Sequence, residues 1–341
     1  MKKLNFINKI VFFFNSVAAT LLLLSYVLPF IPPKTFSVLS VLSLAVPFLI
    51  LVNALFFLYW LLKVQKQFFL SFVVLVVGYL YFGSLYKFST PAEIDKENSL
   101  SVMNYNVRLF NLYDWIEDKD TQVKLVDFIK DKAPDVVSFQ EYHPHIDIDL
   151  SFFKYKYEKL SGKRNKIGQA IFSQYPIINS GSISFPKTSN NAIFVDIVKK
   201  KDTIRVYNIH LQSLKIDTKV EAISQENSER LVKRIGNSFK MQQEQTEMFL
   251  KHKNKSKHKV IVCGDLNNTA FSYVYKEISE GLTDAFKVAG NGFGRTYDFK
   301  FFPTRIDFIL VDNHFEVDAF KTYDVHYSDH FPVMAKLSFK D

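Results

Sequence analysis

The 341-residue chain is long enough for one large domain and a second unit, and its one cysteine, Cys263, excludes an intramolecular disulfide. Residues 1–92 contain seven lysines and no acidic residue, so they account for most of the net charge of +9. The remainder carries 36 basic against 34 acidic side chains, and this near balance means that the composition does not require a strongly basic nucleic-acid-binding face.

Three long apolar segments come first along the chain. Uncharged stretches of 24, 28 and 20 residues, rich in Leu, Val, Phe and Ile, follow Lys9, Lys34 and Lys66. A bilayer core needs about 20 apolar residues per helix. Three buried helices of a soluble domain are the alternative, and a cleaved signal peptide fits poorly because two more apolar segments follow the first. We therefore predict three transmembrane helices, at about residues 10–31, 36–62 and 67–86.

The lysines that flank these segments predict their orientation. Five lie on one side of the predicted membrane and two on the other: Lys2, Lys3, Lys9, Lys63 and Lys66 against Lys34 and Lys87. Lysine-rich ends favour the cytoplasm, so the N-terminus is predicted to be cytoplasmic. Three crossings then place the rest of the chain on the exported (periplasmic or extracellular) side. We predict an integral protein of the cytoplasmic membrane with an anchor over 1–88, a linker over 89–99 and a catalytic domain over 100–341.

Short β-branched and aromatic runs alternate with helical patterns after residue 100. Helices are predicted over residues 120–134, ended by Pro134, and over 225–253, weakened by Gly236. Many strands with interspersed helices indicate one α/β sandwich domain. The eight predicted strands are 100–107, 136–141, 168–173, 191–198, 203–211, 259–266, 305–312 and 332–339.

Polar side chains gather where several of these strands end. Alone, each is more often a turn former or a surface group, but side chains at strand ends can converge on one rim of a sandwich. The i, i+2 spacing of Asp265 and Asn267 predicts that both point to the same face. Carboxylates with Asn and His, and without a cysteine or histidine cluster, suit a hard ion such as Mg²⁺ or Mn²⁺ better than zinc. The residues are Asn104, Asn106, Glu141, Asn208, His210, Asp265, Asn267, Asp307, Asp329 and His330.

Six ordered motifs across residues 100–341 carry a family resemblance: MNYNVR, FQE, NIHL, GDLN, RIDFIL and SDHFPV. They resemble the endonuclease/exonuclease/phosphatase superfamily, which includes deoxyribonucleases, apurinic-site endonucleases, neutral sphingomyelinases and inositol-polyphosphate phosphatases. The resemblance implies a four-layered α/β sandwich, with two packed mixed β-sheets flanked by helices. It also implies hydrolysis of phosphoesters by an activated water molecule with a divalent metal cofactor. The predicted transmembrane helices lie outside the resemblance.

The resemblance implies a metal site and a substrate contact. Glu141 is expected to bind the metal, with Asn106 beside it as a ligand or orienting group and Asp329 reaching the metal directly or through water. Arg108 and Arg164 are candidates for contact with the substrate phosphate, and a surface position is the alternative for both.

The resemblance also implies catalytic roles. Asp265 is expected to position and deprotonate the attacking water, and Asn267 to hold a phosphate oxygen. His210 is expected to donate a hydrogen bond to the scissile phosphate or its leaving group. His330, oriented by Asp307, is the expected catalytic histidine, and the choice between Asp265 and His330 as the base stays open.

The expected function is a membrane-anchored, divalent-metal-dependent phosphohydrolase that cleaves phosphodiester or phosphomonoester bonds. Nucleic acid and phospholipid or another small phosphoester are the alternative substrates, and the lipid bilayer is the second expected partner; no protein partner can be inferred. A noncatalytic binding module that kept the fold is the competing hypothesis, weakened because each expected acidic and histidine position is filled. A Gly-x-Ser-x-Gly elbow and a Walker loop are both missing from the sequence.

Overall fold

Two six-stranded sheets form the centre of the chain after residue 99. The computed structural model describes residues 4–81, 85–89, 99–145, 147–162, 166–216, 228–299 and 302–340. The strands are β1 Ser99–Asn106, β2 Val136–Tyr142, β3 Tyr155–Ser161, β4 Ile167–Ser173, β5 Ile177–Ser184, β6 Asn191–Lys199, β7 Asp202–His210, β8 Lys259–Asp265, β9 Thr283–Asp284, β10 Asp307–Val311, β11 Phe315–Thr322 and β12 Val333–Phe339.

Both sheets are mixed. Their strand orders are β11-β12-β1-β2-β4-β3 and β5-β6-β7-β8-β10-β9. The pairs β1–β2 and β7–β8 are parallel, and the other described pairs are antiparallel. Each parallel pair lies in the middle of its sheet, so two neighbouring strands of each sheet end at the same edge.

The sheets pack face to face, and helices cover their outer faces. The shared core joins Val102 and Val136 of the first sheet to Val206 and Ile261 of the second. The outer face of the first sheet packs on a helix over residues 121–132, and that of the second packs on helices over 228–253 and 273–279. This arrangement is an α/β sandwich, as the sequence predicts.

Eleven helices of at least four residues are present in the described part of the chain. The one over residues 121–132 ends at Ala133, whose φ of 43° is left-handed, directly before Pro134. Residues 225–227 of the second predicted helix lie outside the described residues. The eight α-helices are α1 Phe6–Val27, α2 Ser37–Ser40, α3 Val46–Leu62, α4 Phe68–Val77, α5 Thr121–Lys132, α6 Ser228–Lys253, α7 Tyr273–Ser279 and α8 Ala285–Ala289; the three remaining helices are short 3₁₀ segments.

Gly236 does not interrupt α6. A Cβ atom at this position would lie 3.2–3.3 Å from the backbone of Ser37 in α2. Glycine therefore lets α2 approach α6 closely, and the packing offsets its low helix propensity.

The predicted transmembrane segments form two long helical segments and one short one. The segments Phe6–Phe30 and Ser37–Leu62 are long and apolar enough to cross a membrane, by length and composition. The third apolar helix covers Phe68–Leu80, whose 13 residues reach about 20 Å at 1.5 Å per residue. The hydrocarbon core is about 30 Å thick. The prediction of a full-length helix over 67–86 is therefore wrong for the described residues, because the α-helix ends at Gly78.

A polar network lies inside the three-helix unit formed by α1, α3 and α4. Asn15 of α1 donates to Ser71 of α4 over 2.6 Å and accepts from the Trp60 ring nitrogen over 3.0 Å. Ser71 in turn donates to Asn53 of α3 over 3.3 Å. All four residues are fully buried. Large apolar side chains are exposed on the outside of the unit, and its interior combines this polar network with an apolar cluster.

The helical unit and the sandwich are in direct contact. Lys34 binds α6 twice, by its backbone N–H to Gln243 over 2.8 Å and by its ammonium group to Glu247 over 2.9 Å. Phe271, six residues after Asp265, packs into the apolar cluster of the helical unit. Lys87 and Gly292 exchange two backbone hydrogen bonds of 2.9 Å.

Candidate active site

Strand register brings three predicted site residues into one row. His210 of β7 pairs with Asp265 of β8, and Asp265 pairs with Asp307 of β10. Residues paired directly across neighbouring strands share a face of the sheet. Asn106 at the end of β1 and Glu141 near the end of β2 complete the same rim from the other sheet.

Gly264 allows this row to form. A Cβ atom here would lie 2.9 Å from the backbone nitrogen and the carbonyl carbon of Ile209, and closer still to its carbonyl oxygen. A side chain at residue 264 would therefore push β8 away from β7. The close approach places His210 and Asp265 on adjacent backbones.

Asp265 and Asn267 contact each other through a turn, and not through the predicted alternation of side chains along a strand. The strand ends at Asp265, and Asn267 has a left-handed φ of 48°. The Asp265 carboxylate accepts the Asn267 backbone N–H over 2.7 Å and its side-chain amide over 3.3 Å, which is an Asx-turn. The same amide donates to the Leu211 carbonyl over 3.0 Å. Asn267 thus fixes the orientation of the Asp265 carboxylate.

His330 and Asp307 form a buried pair. The Asp307 carboxylate lies 2.9 Å from Nδ1 of His330, and Nε2 of the same ring faces Asp265 at 3.8 Å. Burial alone would lower the pKa of His330, but the carboxylates of Asp307 and Asp265 raise it to about 10. The ring of Tyr297 lies 5.0 Å from that of His330, between centroids. The imidazole is therefore held by a carboxylate on one side and an aromatic ring on the other.

The Asp265 carboxylate is the centre of the site. Its Oδ2 accepts from Asn106 over 3.1 Å and lies 3.7 Å from Nε2 of His210 and 3.8 Å from that of His330. Burial raises the pKa of Asp265 to about 6, an effect that the two histidines oppose. Asp265, Asp307 and His330 can offer ligand atoms within 4.8 Å of one another. Because Asp307 already binds His330, the three are better described as an oriented histidine beside a carboxylate.

His210 presents a buried nitrogen without a hydrogen bond among the described residues. Its Nε2 lies 3.9 Å from Glu141 and 3.7 Å from Asp265, beyond hydrogen-bond distance. Burial lowers the pKa of the ring, which favours its neutral form. An unbound donor here is available for a ligand atom.

Glu141 and Asp329 place further carboxylates at the same pocket. Asn106 donates to Glu141 over 3.4 Å, and Glu141 itself has a left-handed φ of 49°, at the bulge where β2 leaves its partner β4. Burial raises the pKa of Glu141, and the negative charge of Asp329 adds to that increase. Asp329 lies 3.3 Å from Nε of Arg108.

Of the two arginines predicted to contact the substrate phosphate, the structure describes only Arg108. Arg108 is at the rim, paired with Asp329 and with its guanidinium 4.5 Å from the Trp115 ring centroid. Arg164 lies outside the described residues, so its predicted contact stays a prediction.

A buried amide layer supports the site from below. The Gln140 amide donates to Asn104 over 2.7 Å and to Asn208 over 2.5 Å, and so joins β1 and β2 to β7. Asn104 also donates to Asp307 over 3.4 Å. No role was predicted for Gln140 or Tyr297. The position of Gln140 in the FQE motif was a signal for the first, whereas the Tyr297 contact has no sequence signal because it arises from tertiary packing.

A cavity of about 180 Å³ opens at this site. Its polar floor is formed by Glu141, Asp265, Asn267, Asp329 and His330. The carboxylates and the oriented imidazole of this floor can bind a cation and move a proton, and the neighbouring Nε2 of His210, 3.7 Å from Asp265, can contact an anion.

Comparisons with known proteins match two parts of the chain to families. Residues 103–330 match the family described as "Endonuclease/Exonuclease/phosphatase family", and residues 8–85 match "Domain of unknown function (DUF8431)". Among curated proteins there is no match.

Several solved structures share the fold. An endonuclease/exonuclease/phosphatase from Beutenbergia cavernae is 20% identical, with a TM-score of 0.54 over 71% of this chain and 72% of its own. The human Nocturnin catalytic domain with bound sulfate is 17% identical, with a TM-score of 0.53 over 74% and 100%. D. rerio TDP2 in complex with a single-strand DNA product is 18% identical, with a TM-score of 0.52 over 72% and 100%.

Proposed function

Because the chain belongs to the endonuclease/exonuclease/phosphatase family, we propose that it is a membrane-anchored hydrolase of phosphodiesters or phosphomonoesters that requires Mg²⁺ or Mn²⁺. The observation that carries the proposal is the convergence of Glu141, Asp265 and the His330–Asp307 pair on one cavity. A noncatalytic module would not need an imidazole held in one tautomer beside a second carboxylate.

The oxygen donors at the cavity floor fit a hard divalent cation. Glu141 and Asp329 both line the cavity, and the charge of Asp329 contributes to the raised pKa of Glu141, a repulsion that a cation would relieve. Asn106 donates to Glu141 and Asp265, so its amide orients both carboxylates. When bound, the ion would stabilise charge on a nonbridging phosphate oxygen.

Asp265 and His330 form the proton-transfer pair. With a pKa of about 6, Asp265 is ionised at neutral pH and can accept a proton from water held at its Oδ2. Asp307 fixes the His330 ring so that Nε2 points toward Asp265. The two groups act on the same proton path, and we assign proton transfer to them jointly.

His210 and Asn267 are proposed to stabilise the phosphate. The unbound Nε2 of His210 can donate to an oxygen that gains charge in the transition state. Asn267 holds Asp265 with its backbone N–H, so its side-chain amide can exchange the Leu211 carbonyl for a phosphate oxygen while Asp265 stays oriented.

The arrangement of the helical unit supports a membrane anchor. Phe13, Leu55 and Val73 are 62%, 57% and 54% exposed on its outside, whereas Asn15, Asn53 and Ser71 are buried within it. Polar groups inside and apolar groups outside are typical of helices in lipid, and such an exposed apolar surface is unfavourable in water. A buried core helix of a soluble protein would have the opposite arrangement.

The contacts between the helical unit and the sandwich support three crossings of the membrane by the chain. Lys34, in the connection between α1 and α3, binds the sandwich, and so does Lys87 after α4. The opposite ends of α1 and α3 meet where Tyr59 donates to Asn8 over 2.8 Å. The chain must therefore return to the sandwich between residues 68 and 87, although its α-helix is short. We propose a cytoplasmic N-terminus and a catalytic domain on the exported side of the cytoplasmic membrane, with anchor 1–88, linker 89–99 and domain 100–341.

The test uses the full chain purified in lipid nanodiscs. With Mg²⁺ or Mn²⁺ it should hydrolyse bis(4-nitrophenyl) phosphate, EDTA should stop the reaction, and renewed Mg²⁺ should restore it. Asp265→Asn should abolish turnover without changing the thermal unfolding transition. Hydrolysis that persists in EDTA would reject the metal requirement, and a stable wild-type protein without hydrolysis would favour the binding module.

A further inference from the structure

The catalytic cavity has a second, apolar side. Its lining also includes Leu44, Leu214, Ile216, Phe299, Phe302 and Ile306, which we call the apolar wall. Phosphate hydrolysis itself needs only the polar floor. A wall of this kind fits a substrate whose phosphate is attached to an apolar group.

One member of the apolar wall comes from the helical unit. Leu44 lies in the 3₁₀ helix Val41–Ala45, which leads directly into α3 at Val46. It packs on the cluster that contains Leu214, a residue of the sandwich. The helical unit thus forms part of the cavity wall as well as anchoring the domain.

An apolar surface continues from the wall toward the proposed bilayer. Phe302 is shared between the catalytic cavity and a smaller neighbouring cavity that is also lined by Pro47 and Leu85. Pro47 lies in the first turn of α3, and Leu85 follows α4. The same cavity is lined by Phe271 and Phe293, and by Thr269, Thr304 and Arg305. An apolar chain that leaves the catalytic cavity past Phe302 would therefore have apolar contacts up to the end of the membrane-facing helices.

We propose that the substrate is an amphiphilic phosphoester whose alkyl or acyl chain lies along the apolar wall and reaches the cavity from the bilayer. The proposal rests on the hydrolase function proposed above and names its substrate class. Each methylene buried against the wall should improve binding about fourfold.

The charge and shape of the cavity favour this class over nucleic acid. Lys215 is the one lysine or arginine among the described residues that line the cavity. Nucleic-acid channels combine several cations with aromatic faces on which bases stack. Here four of the six wall residues are aliphatic, and Phe299 and Phe302 lie edge to face at 5.2 Å and 70°.

The test is a substrate series of 4-nitrophenyl alkyl phosphates with ethyl, hexyl and dodecyl chains. Full chain in nanodiscs with Mg²⁺ should show a kcat/KM that rises at least tenfold from ethyl to dodecyl. An equal or falling kcat/KM, or a better rate on a single-stranded oligonucleotide, would overturn the substrate class while leaving hydrolase function intact. If none of the esters is hydrolysed, the hydrolase function itself fails.

Two wall variants separate wall binding from simple partitioning into lipid. Leu44→Asn and Ile216→Asn should each lower the dodecyl-to-ethyl ratio of kcat/KM at least fivefold. Leu39→Asn is the matched control, because Leu39 is an exposed residue of the same N-terminal segment outside the cavity, and it should keep the ratio. A chain-length preference that survives in both wall variants would show that partitioning alone produces it. If one variant does not fold, the other variant and the wild-type series still distinguish binding at the wall from partitioning into lipid.

Discussion

At the scale of single residues, the site depends on side chains that hold other side chains in place. Asp307 contacts His330 from a strand 23 positions earlier, and Asn106 reaches two carboxylates on different sheets. These contacts fix which atoms face the cavity, so conservative changes at the supporting residues should be as informative as removal of the reacting groups.

Asp307→Asn should lower kcat by about 10²–10⁴-fold. The amide keeps the shape of the side chain but no longer compensates a positive charge on His330 or fixes its tautomer. The measurement is steady-state hydrolysis of bis(4-nitrophenyl) phosphate with saturating Mg²⁺. Asp324→Asn is a matched control, because Asp324 faces His326 at 3.5 Å on the surface. An Asp307→Asn enzyme with wild-type kcat would exclude the proposed role.

Glu141→Gln should raise the Mg²⁺ concentration at half-maximal rate by at least about tenfold. The amide cannot supply the negative charge that the proposed cation site requires, although it can still contact Asn106. Titration of activity with Mg²⁺ measures the shift. The exposed residue Glu280 provides the control Glu280→Gln. A half-maximal concentration that stays the same in Glu141→Gln would move the metal site elsewhere.

Much of the candidate site was predictable at this scale because its carboxylates and histidines follow buried strands in recognisable motifs. The contacts that support these side chains could not be predicted. Ser328 binds the Asn106 carbonyl over 2.8 Å from 222 positions away, and Tyr297 meets His330 from a loop. Such pairs depend on how distant segments pack, which no local pattern encodes.

At the scale of secondary-structure elements, the burial of a strand determined whether the sequence predicted it. All eight predicted strands exist, and the four strands that the prediction missed, β3, β5, β9 and β11, are the edges of the two sheets. Residues in β3 and β5 are mostly exposed or half-buried, so they lack the apolar runs of the central strands. Polar edge strands prevent pairing with other chains and, for the same reason, resemble loops in the sequence.

Gly264→Ala should destabilise the fold by about 1–3 kcal/mol and also lower activity, because the new methyl group would collide with the Ile209 backbone and separate β7 from β8. Thermal unfolding and hydrolysis rates measure the two effects. Gly281→Ala is the comparison: Gly281 has a φ of 73° but open space around it, so the substitution should cost stability without affecting the rate. Equal rates for the two variants would show that the close approach is not needed for activity.

At the scale of the whole molecule, the contacts between the units bring Lys34 and Lys87 beside the sandwich, and the orientation in a membrane stays a prediction. The sequence overestimated the third helix, since hydropathy counts apolar residues and does not show where an α-helix ends. Gly78 and the 3₁₀ turn after it shorten α4 without changing the direction of the chain.

A periplasmic-type reporter enzyme fused after Asp341 should be active, and the same reporter fused at Gln65, between α3 and α4, should be inactive. The three proposed passages would place these two positions on opposite sides of the membrane. Measuring both fusions in intact cells tests the arrangement. An active Gln65 fusion with an inactive Asp341 fusion would show the opposite orientation. Equal activity of both fusions would show that the chain does not cross the membrane a third time.

The packing of Phe271 into the helical unit has a consequence for proteolytic release. A protease that cuts the chain between residues 90 and 98 breaks the covalent link, yet Phe271 and the Lys34–Glu247 pair still join the two fragments. Such a cut should therefore not shed a free enzyme, and both fragments should stay together in the membrane fraction. A soluble form of the proposed hydrolase would need a surface that replaces the helical unit, because release would expose Phe271 and remove Leu44 from the cavity.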